Sequence, residues 1–296
     1  MTAGPQELAR GSRDAAVLEE DVLLRPISGP SALGGGWRRS FELLLLLSVT
    51  DFKKAYFGTA LGYVWSLARP LMLFGVLLAV FTQVFRIGSQ VPNYPVLLLF
   101  NIVLFSFFQE ATVTAVNSLV TQESVVRKTQ FPRLVIPLAV VLTSLFNLGL
   151  NLIVVFVFIL AWGIDPTWTW LLFPLVLGLL FILTTGVSMI VSSLYPRFRD
   201  TAIIWSVAAT VLFYATPVLY PLEVVPETLR DILSLNPLAP LFELARTWII
   251  DPTAPGPIDA AGGLERLLPA IGIYIAICAI AVRTFNREAP RIAEQL

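Results

Sequence analysis

Few residues in this chain could do chemistry. Its 296 residues contain no histidine, which removes the commonest general base, the Ser-His-Asp type of triad and most transition-metal sites. The one cysteine, Cys278, sits inside the apolar run 267–282, so neither a disulfide framework nor a thiolate cluster can be assembled, and the residue reads as packing. A phosphate-binding loop of the form GxxxxGK[ST] needs a lysine after a glycine. The three lysines, Lys53, Lys54 and Lys128, follow Phe, Lys and Arg. The chain is therefore expected to be no enzyme and to carry no cofactor or metal. Energy for any work it does comes from a partner ATPase, from an ion gradient, or not at all.

The remaining polar candidates lie in apolar surroundings. Glu110 stands beside Gln109 in the middle of a long hydrophobic run, where an ionisable group costs several kcal/mol unless it is paired or wetted. It either lines a pathway or ties helices together, and both readings stay open. Asn147 and Asn151 are four apart and share one helical face, which favours hydrogen bonding between helices over substrate contact. Aromatic residues make up 11% of the chain, with Tyr63 and Trp65 close together and Phe105, Phe107 and Phe108 clustered. Most suit packing or an interfacial belt, and a minority could stack against sugar rings. A single intramembrane carboxylate without an evident internal repeat argues against an ion-coupled carrier.

The elements that position these residues follow from hydropathy. Apolar residues make up 56% and charged residues 14%, against roughly a quarter charged in soluble domains, and mean hydropathy is +0.79. Such a chain needs lipid as solvent. Twenty basic and twenty acidic residues cancel, and nothing points to nucleic acid. Six stretches are long enough to cross a bilayer: 66–86, 95–120, 135–162, 168–195, 201–221 and 265–284. The third and fourth are joined by the short turn Gly163–Thr167 and should form a tight helical hairpin. Of the 20 positive residues, 16 fall on one side of this arrangement, which places both termini in the cytoplasm.

The fold expected is an all-α membrane protein with six transmembrane helices. Residues 1–36, polar and rich in Gly, Pro and Ser, form a cytoplasmic tail without the apolar core of a signal peptide. Residues 37–57 read as an amphipathic helix lying in the interface, because Glu42, Asp51, Lys53 and Lys54 interrupt its leucines. Residues 58–285 hold the six-helix transmembrane domain, and 286–296 a C-terminal tail. Between spans five and six lie 43 residues, Leu222 to Leu264, too many for a structureless connection. Two short helices are expected there, Pro226–Leu233 and Pro240–Ile250. The second, too short to cross and too apolar to be fully solvated, should dip into the outer leaflet or re-enter the bundle.

With loops and spans in order, the chain resembles the membrane permeases of ABC-type polysaccharide exporters over about residues 40–285. The segment DFKKAYFGTALGYVWSLARPL carries that family's basic residue, Tyr, small residue, Leu-Gly, Trp and Pro at Lys53, Tyr56, Thr59, Leu61, Gly62, Trp65 and Pro70. After the second span, a basic stretch precedes Phe-Pro and a later Pro at Arg127, Lys128, Phe131, Pro132 and Pro137. Phe198, Arg199 and Asp200 match the aromatic-x-Arg-Asp type of ending to the fourth span, and TPVLYPLEVVP and NPLAPLFELAR follow in order. Asn101 and Phe105 stand where the family often has Gly and Trp, and Gln122-Glu123 where Asn is usual.

The resemblance implies a homodimer whose subunits enclose a channel in the bacterial cytoplasmic membrane. Two separate ATP-binding cassette subunits would hold the ATP and Mg. The cargo would be a lipid-linked glycan such as O-antigen or teichoic acid. The segment Glu123–Pro137 would be the coupling helix that docks on the ATPase through Arg127, Lys128, Phe131, Pro132 and Arg133. The amphipathic helix would gate lateral access, with Tyr56, Tyr63, Trp65, Phe105, Phe108 and Glu110 along the route. Asn236, Pro237, Phe242 and Glu243 would close the outer mouth. A fold does not fix its substrate, and export of a drug or small lipid by the same class is the alternative. A membrane glycosyl- or acyltransferase fits poorly with no histidine and one buried carboxylate.

Overall fold

The structure is a computed structural model and describes residues 37–56, 62, 64–86, 91–122 and 134–295. Every regular element among them is helical. Helix α1, Trp37–Tyr56, places Lys53 and Lys54 in its last turn, where positive charge complements the helix dipole. Helix α2, Val64–Ala79, contains Pro70 and runs on as a π turn, Val80–Val84. Helix α3, Tyr94–Val116, starts with a proline in its first turn, where the missing N–H costs nothing. A single turn, α4, Ser118–Thr121, follows it. Helix α5, Val135–Ala161, turns back through Gly163 at φ 90° into a 3-10 turn, Trp168–Leu172, and helix α6, Phe173–Leu194. This is the hairpin expected from the short Gly163–Thr167 connection. Helix α7 covers Thr201–Ala215.

Helix α3 is the centre of the bundle and packs against α2, α5, α6 and α7. Of its membrane-length window 78% is buried, against 6% for Val64–Val84. Its hydrophobic residues point in all directions, as a helix surrounded by others requires. Phe100, Phe105, Leu97 and Leu104 are all fully enclosed.

Among the described residues five helices are long and apolar enough to cross a membrane: Val64–Val84, Tyr94–Val116, Val135–Ala161, Trp168–Leu194 and Leu264–Arg287. The stretch 201–221, expected as a sixth, contains a helix of only 15 residues. At about 1.5 Å per residue it reaches roughly 22 Å, short of the ~30 Å hydrocarbon core. The physical cause is Pro217. Proline cannot supply the next helical N–H and pushes its predecessor out of the α region, and Thr216 is extended at φ −100°, ψ 147°.

A helix that stops inside a bundle leaves its last carbonyls open, and here side chains close them. Thr216 Oγ1 donates to Leu212 O at 2.7 Å, Tyr220 Oη to Tyr214 O at 2.7 Å, and Asn236 Nδ2 to Ala215 O at 3.2 Å. The extended residues beyond are held by α3. Asn101 Nδ2 donates to Pro217 O at 3.0 Å, and Tyr94 Oη donates to Leu219 O at 2.9 Å.

The long outer connection is built rather than loose. A 3-10 turn, Leu222–Val224, leads to helix α8, Glu227–Leu233, and helix α9, Ala239–Ile249, each within a residue of the two short helices read from the sequence. A third, α10, Pro257–Ala261, was not foreseen. Helix α9 packs on α6, and its Leu241, Phe242, Ala245 and Ile249 join the same hydrophobic cluster as α3. Its C-terminal end is tied to the α5–α6 hairpin: Thr169 Oγ1 donates to Trp248 O at 2.6 Å and Trp170 Nε1 to Ile249 O at 3.1 Å. Helix α11, Leu264–Gln295, packs along α6 and continues through most of the segment 286–296 that was read as a tail.

The charges that hold this outer cap are buried. Arg246 is 4% exposed and Glu243 1%. Arg246 Nη2 meets Glu223 Oε1 at 2.8 Å and its Nη1 meets Glu243 Oε2 at 3.5 Å, while Glu243 Oε1 accepts the Leu222 N–H at 2.9 Å. Removing one member of such a set strands a buried charge. Arg246→Leu is expected to cost about 3–5 kcal/mol and to lower the thermal denaturation midpoint of the detergent-solubilised chain. Arg266→Ala, which breaks the exposed 3.0 Å pair with Asp231, should leave that midpoint nearly unchanged.

Candidate functional site

The sequence-predicted residues fall into four groups in space. Arg127, Lys128, Phe131, Pro132 and Arg133, together with Tyr63, lie outside the described residues. Trp65 is on the first turn of α2 and 55% exposed. Phe105 and Phe108 are in the core instead of on a passage. Phe105 packs edge-on to Phe213 at 5.2 Å, and Phe108 to Trp205 at 6.4 Å, because α3 is enclosed on every side.

At the outer end, Asn236 is a clamp. Its Nδ2 donates to Thr216 Oγ1 at 2.7 Å as well as to Ala215 O, and its Oδ1 accepts the Leu238 N–H at 3.0 Å. Pro237 follows it in the turn before α9. Phe242 is buried at 1%. Burial pushes the Glu243 carboxyl above its ordinary range, and the Leu222 N–H and the Arg246 charge pull it back.

Tyr56 and Glu110 come together. Tyr56 Oη donates to Asn147 Oδ1 at 2.7 Å, and Asn147 Nδ2 donates to Glu110 Oε1 at 2.8 Å. Tyr56 also shares a hydrogen bond with Ser66 of α2, and Arg69 acts electrostatically on Glu110. One relay thus joins α1, α2, α3 and α5. Asn147 is the interhelical hydrogen-bonding residue that its position suggested, whereas Asn151 donates within α5 to Asn147 O at 3.0 Å. Thr143 Oγ1 adds a 3.2 Å contact to Ser48 O, with Ser48 fully buried. Phe52 meets Phe146 at 6.0 Å.

The relay lines a cleft of about 340 Å³ between α1, the end of α3, α4 and the first turns of α5. Besides Tyr56, Glu110 and Asn147, it is bordered by Asp51, Thr114, Asn117, Ser118, Thr121 and Gln122. Sequence reasoning missed most of these, although a signal was present. Glu110, Thr114, Asn117, Ser118, Thr121 and Gln122 recur at the three- and four-residue spacing of one helical face, a polar stripe in an otherwise apolar stretch. The cleft has carboxylates, amides and hydroxyls but no basic side chain on its wall. No group of three potential metal ligands occurs among the described residues. It can bind and orient a polar molecule, and it holds no nucleophile activated by a base.

Comparison with known proteins bears on the whole chain. Residues 42–250 match the family described as ABC-2 type transporter. An O-antigen export system permease protein RfbA from Klebsiella pneumoniae is 34% identical over 257 residues, covering 86% of this chain and 95% of the relative. Its namesake from Myxococcus xanthus is 32% identical over 256 residues, with the same coverage of both chains. The polysialic acid transport protein KpsM of Escherichia coli is 22% identical over 208 residues, 70% of this chain and 79% of the relative.

The relay makes a specific claim about α1. Asn147→Leu removes the acceptor of Tyr56 and leaves the Glu110 carboxylate without its amide donor. Hydrogen-deuterium exchange in residues 37–56 is expected to quicken in this variant and also in Tyr56→Phe, which loses the Tyr56 bonds to Asn147 and Ser66, each worth about 1 kcal/mol. Equal protection in all three chains would show that α1 is held by packing alone.

Proposed function

The chain belongs to the ABC-2 type transporter family, and from that premise we propose that it is the membrane permease of an ATP-driven exporter of a lipid-linked cell-envelope polysaccharide. The observation that carries this reading is the collinear match to O-antigen export permeases over 86% of the chain. In the proposed assembly two copies of the chain enclose the path, two ATP-binding subunits supply the energy, and all six apolar stretches cross the bacterial cytoplasmic membrane with both termini inside. In this proposal the crossing that begins with α7 is completed by the non-helical turn and bend residues 216–221.

Several physical features support this reading. The sequence carries no phosphate-binding loop of the GxxxxGK[ST] form, in keeping with a partner that supplies the ATP hydrolysis. Helices α2 and α11 turn most of their apolar surface outward, with 6% and 17% of their windows buried, and α7 exposes Ile203, Ile204, Val207 and Val211; lipid and a second copy would cover these faces. The cationic, proline-punctuated segment Glu123–Pro137 would dock on the ATPase through Arg127, Lys128, Phe131, Pro132 and Arg133. Helix α1, held to the bundle by the polar relay, the Thr143–Ser48 and Gln122–Asp51 hydrogen bonds and the Phe52–Phe146 contact, would govern lateral access of the lipid-linked glycan, with Trp65 at the margin. The cap built on Asn236, Pro237, Phe242 and Glu243 would close the outer mouth. A polymer must move through weak, repeated contacts, since a tight site would stall it, a logic shared with ion permeation.

Conditional depletion of the protein, followed by analysis of lipid-linked glycans, tests the reading directly. A completed or undecorated glycan is expected to build up on the cytoplasmic side. Unchanged glycans with altered sensitivity to drugs or lipids would show a small-molecule exporter instead. A second test addresses coupling: replacing Phe131 and Pro132 by alanine is expected to abolish permease-stimulated ATPase activity and export while membrane insertion stays intact. Normal export in that variant would remove the segment from the coupling role.

A further inference from the structure

The cleft against α1 has features that a mere helix contact does not need. The relay from Tyr56 through Asn147 to Glu110 would serve as glue without any open space beside it, yet about 340 Å³ lies there. Thr114, Asn117 and Thr121 turn exposed side chains to that space from successive turns of α3 and α4. Gln122 donates to Asp51 Oδ2 at 3.5 Å, while its own buried Oε1 has no hydrogen-bond partner among the described residues.

The chemistry of the wall selects the ligand. Asp51 and Glu110 put carboxylate charge on the wall, only partly offset by Lys54, 3.8 Å from Asp51, and by Arg69 near Glu110, so the described wall disfavours phosphate or another anion. Too few metal ligands converge for a cation to be caged. A purely apolar molecule would strand the amides and carboxylates. Ala55, Val140 and the threonine methyl groups nevertheless give the cleft apolar ground between its polar groups. A sugar ring offers hydroxyls that both donate and accept around its edge, and C–H groups on its faces, and it satisfies every part of this surface. The volume lies near the lower end of the roughly 300–1,000 Å³ of small-molecule sites, room for one ring rather than a chain.

We infer that the cleft bounded by Asp51, Glu110, Thr114, Asn117, Thr121 and Gln122 is a binding site for a single neutral sugar unit. The carboxylates of Asp51 and Glu110 accept from ring hydroxyls, and the exposed Thr114, Asn117 and Thr121 side chains meet others. The inference deepens the export reading, naming a place inside one subunit where a glycan residue pauses. It also puts that residue against α4 and the start of α5, the two ends from which the segment 123–133 emerges.

The full chain in lipid nanodiscs, probed by saturation-transfer NMR with D-glucose, D-mannose, D-galactose and N-acetyl-D-glucosamine in turn, tests the site. At least one of these sugars is expected to receive saturation from the wild-type chain. Thr114→Trp, which fills open space with an indole, should abolish the signal without lowering the thermal midpoint. Glu110→Gln keeps size and shape and should weaken binding about tenfold, the equivalent of one charge-assisted hydrogen bond. Absence of transfer from wild type to all four sugars, or equal signal from Thr114→Trp and wild type, overturns the inference. If depletion still blocks glycan export in that event, the site is lost and the transport reading stands; binding without any export defect removes the transport reading and keeps the site.

Discussion

Backbone in hydrocarbon has no water to turn to, so a chain that leaves the helical state at membrane depth must hand its carbonyls and amides to other parts of the protein. In this molecule that demand arises at Pro217. Helix α7 ends two residues earlier, and Asn101 and Tyr94 of α3, Asn236 of the outer loop and Tyr220 of the segment itself take up the open carbonyls. The position of α3 at the centre of the bundle is what makes this possible. A peripheral helix could not reach residues 217–219 and also pack against α2, α5 and α6. The outer cap follows from the same constraint, because Asn236 joins the end of α7 to the turn that starts α9.

Polar groups in the described bundle are grouped by the job each one does. Around α9 they satisfy backbone and bury Arg246 and Glu243, with the half-buried Glu223 as the third charge, which trades desolvation for a fixed geometry. At the other end of α3 they form the relay of Tyr56, Asn147 and Glu110 and open onto a cleft. The first set, with Arg246 4% and Glu243 1% exposed, suits a part that keeps its shape. The second set holds α1 by a few hydrogen bonds and exposed polar side chains, which suits a part that admits and releases a ligand.

The aromatic residues show how burial reassigns a chemical type. Phe105 and Phe108 are as suited to a sugar face as any aromatic, but the packing of α7 against α3 encloses both. Trp65, on a helix with little neighbouring protein, stays open. Exposure, set by which helices surround a residue, decides between platform and core.

The sequence by itself determined the solvent the chain needs, the helical class, the α5–α6 hairpin and the two short helices of the outer connection. Those follow from composition, from apolar runs and from prolines, which act within a few residues of where they stand. It also held the family, in motifs whose order is local. The end of α7 before the full length of its apolar run, the roles of Asn101 and Tyr94, and the meeting of Tyr56 with Asn147 and Glu110 were decided only by tertiary structure. Those partners lie 37 to 125 residues apart, and no periodicity in one segment carries information about which distant side chain will face it. The polar stripe from Glu110 to Gln122 stands between the two cases. Its spacing is visible in the sequence, but that it borders a cleft and not a neighbouring helix depends on how α1 and α5 pack beside it.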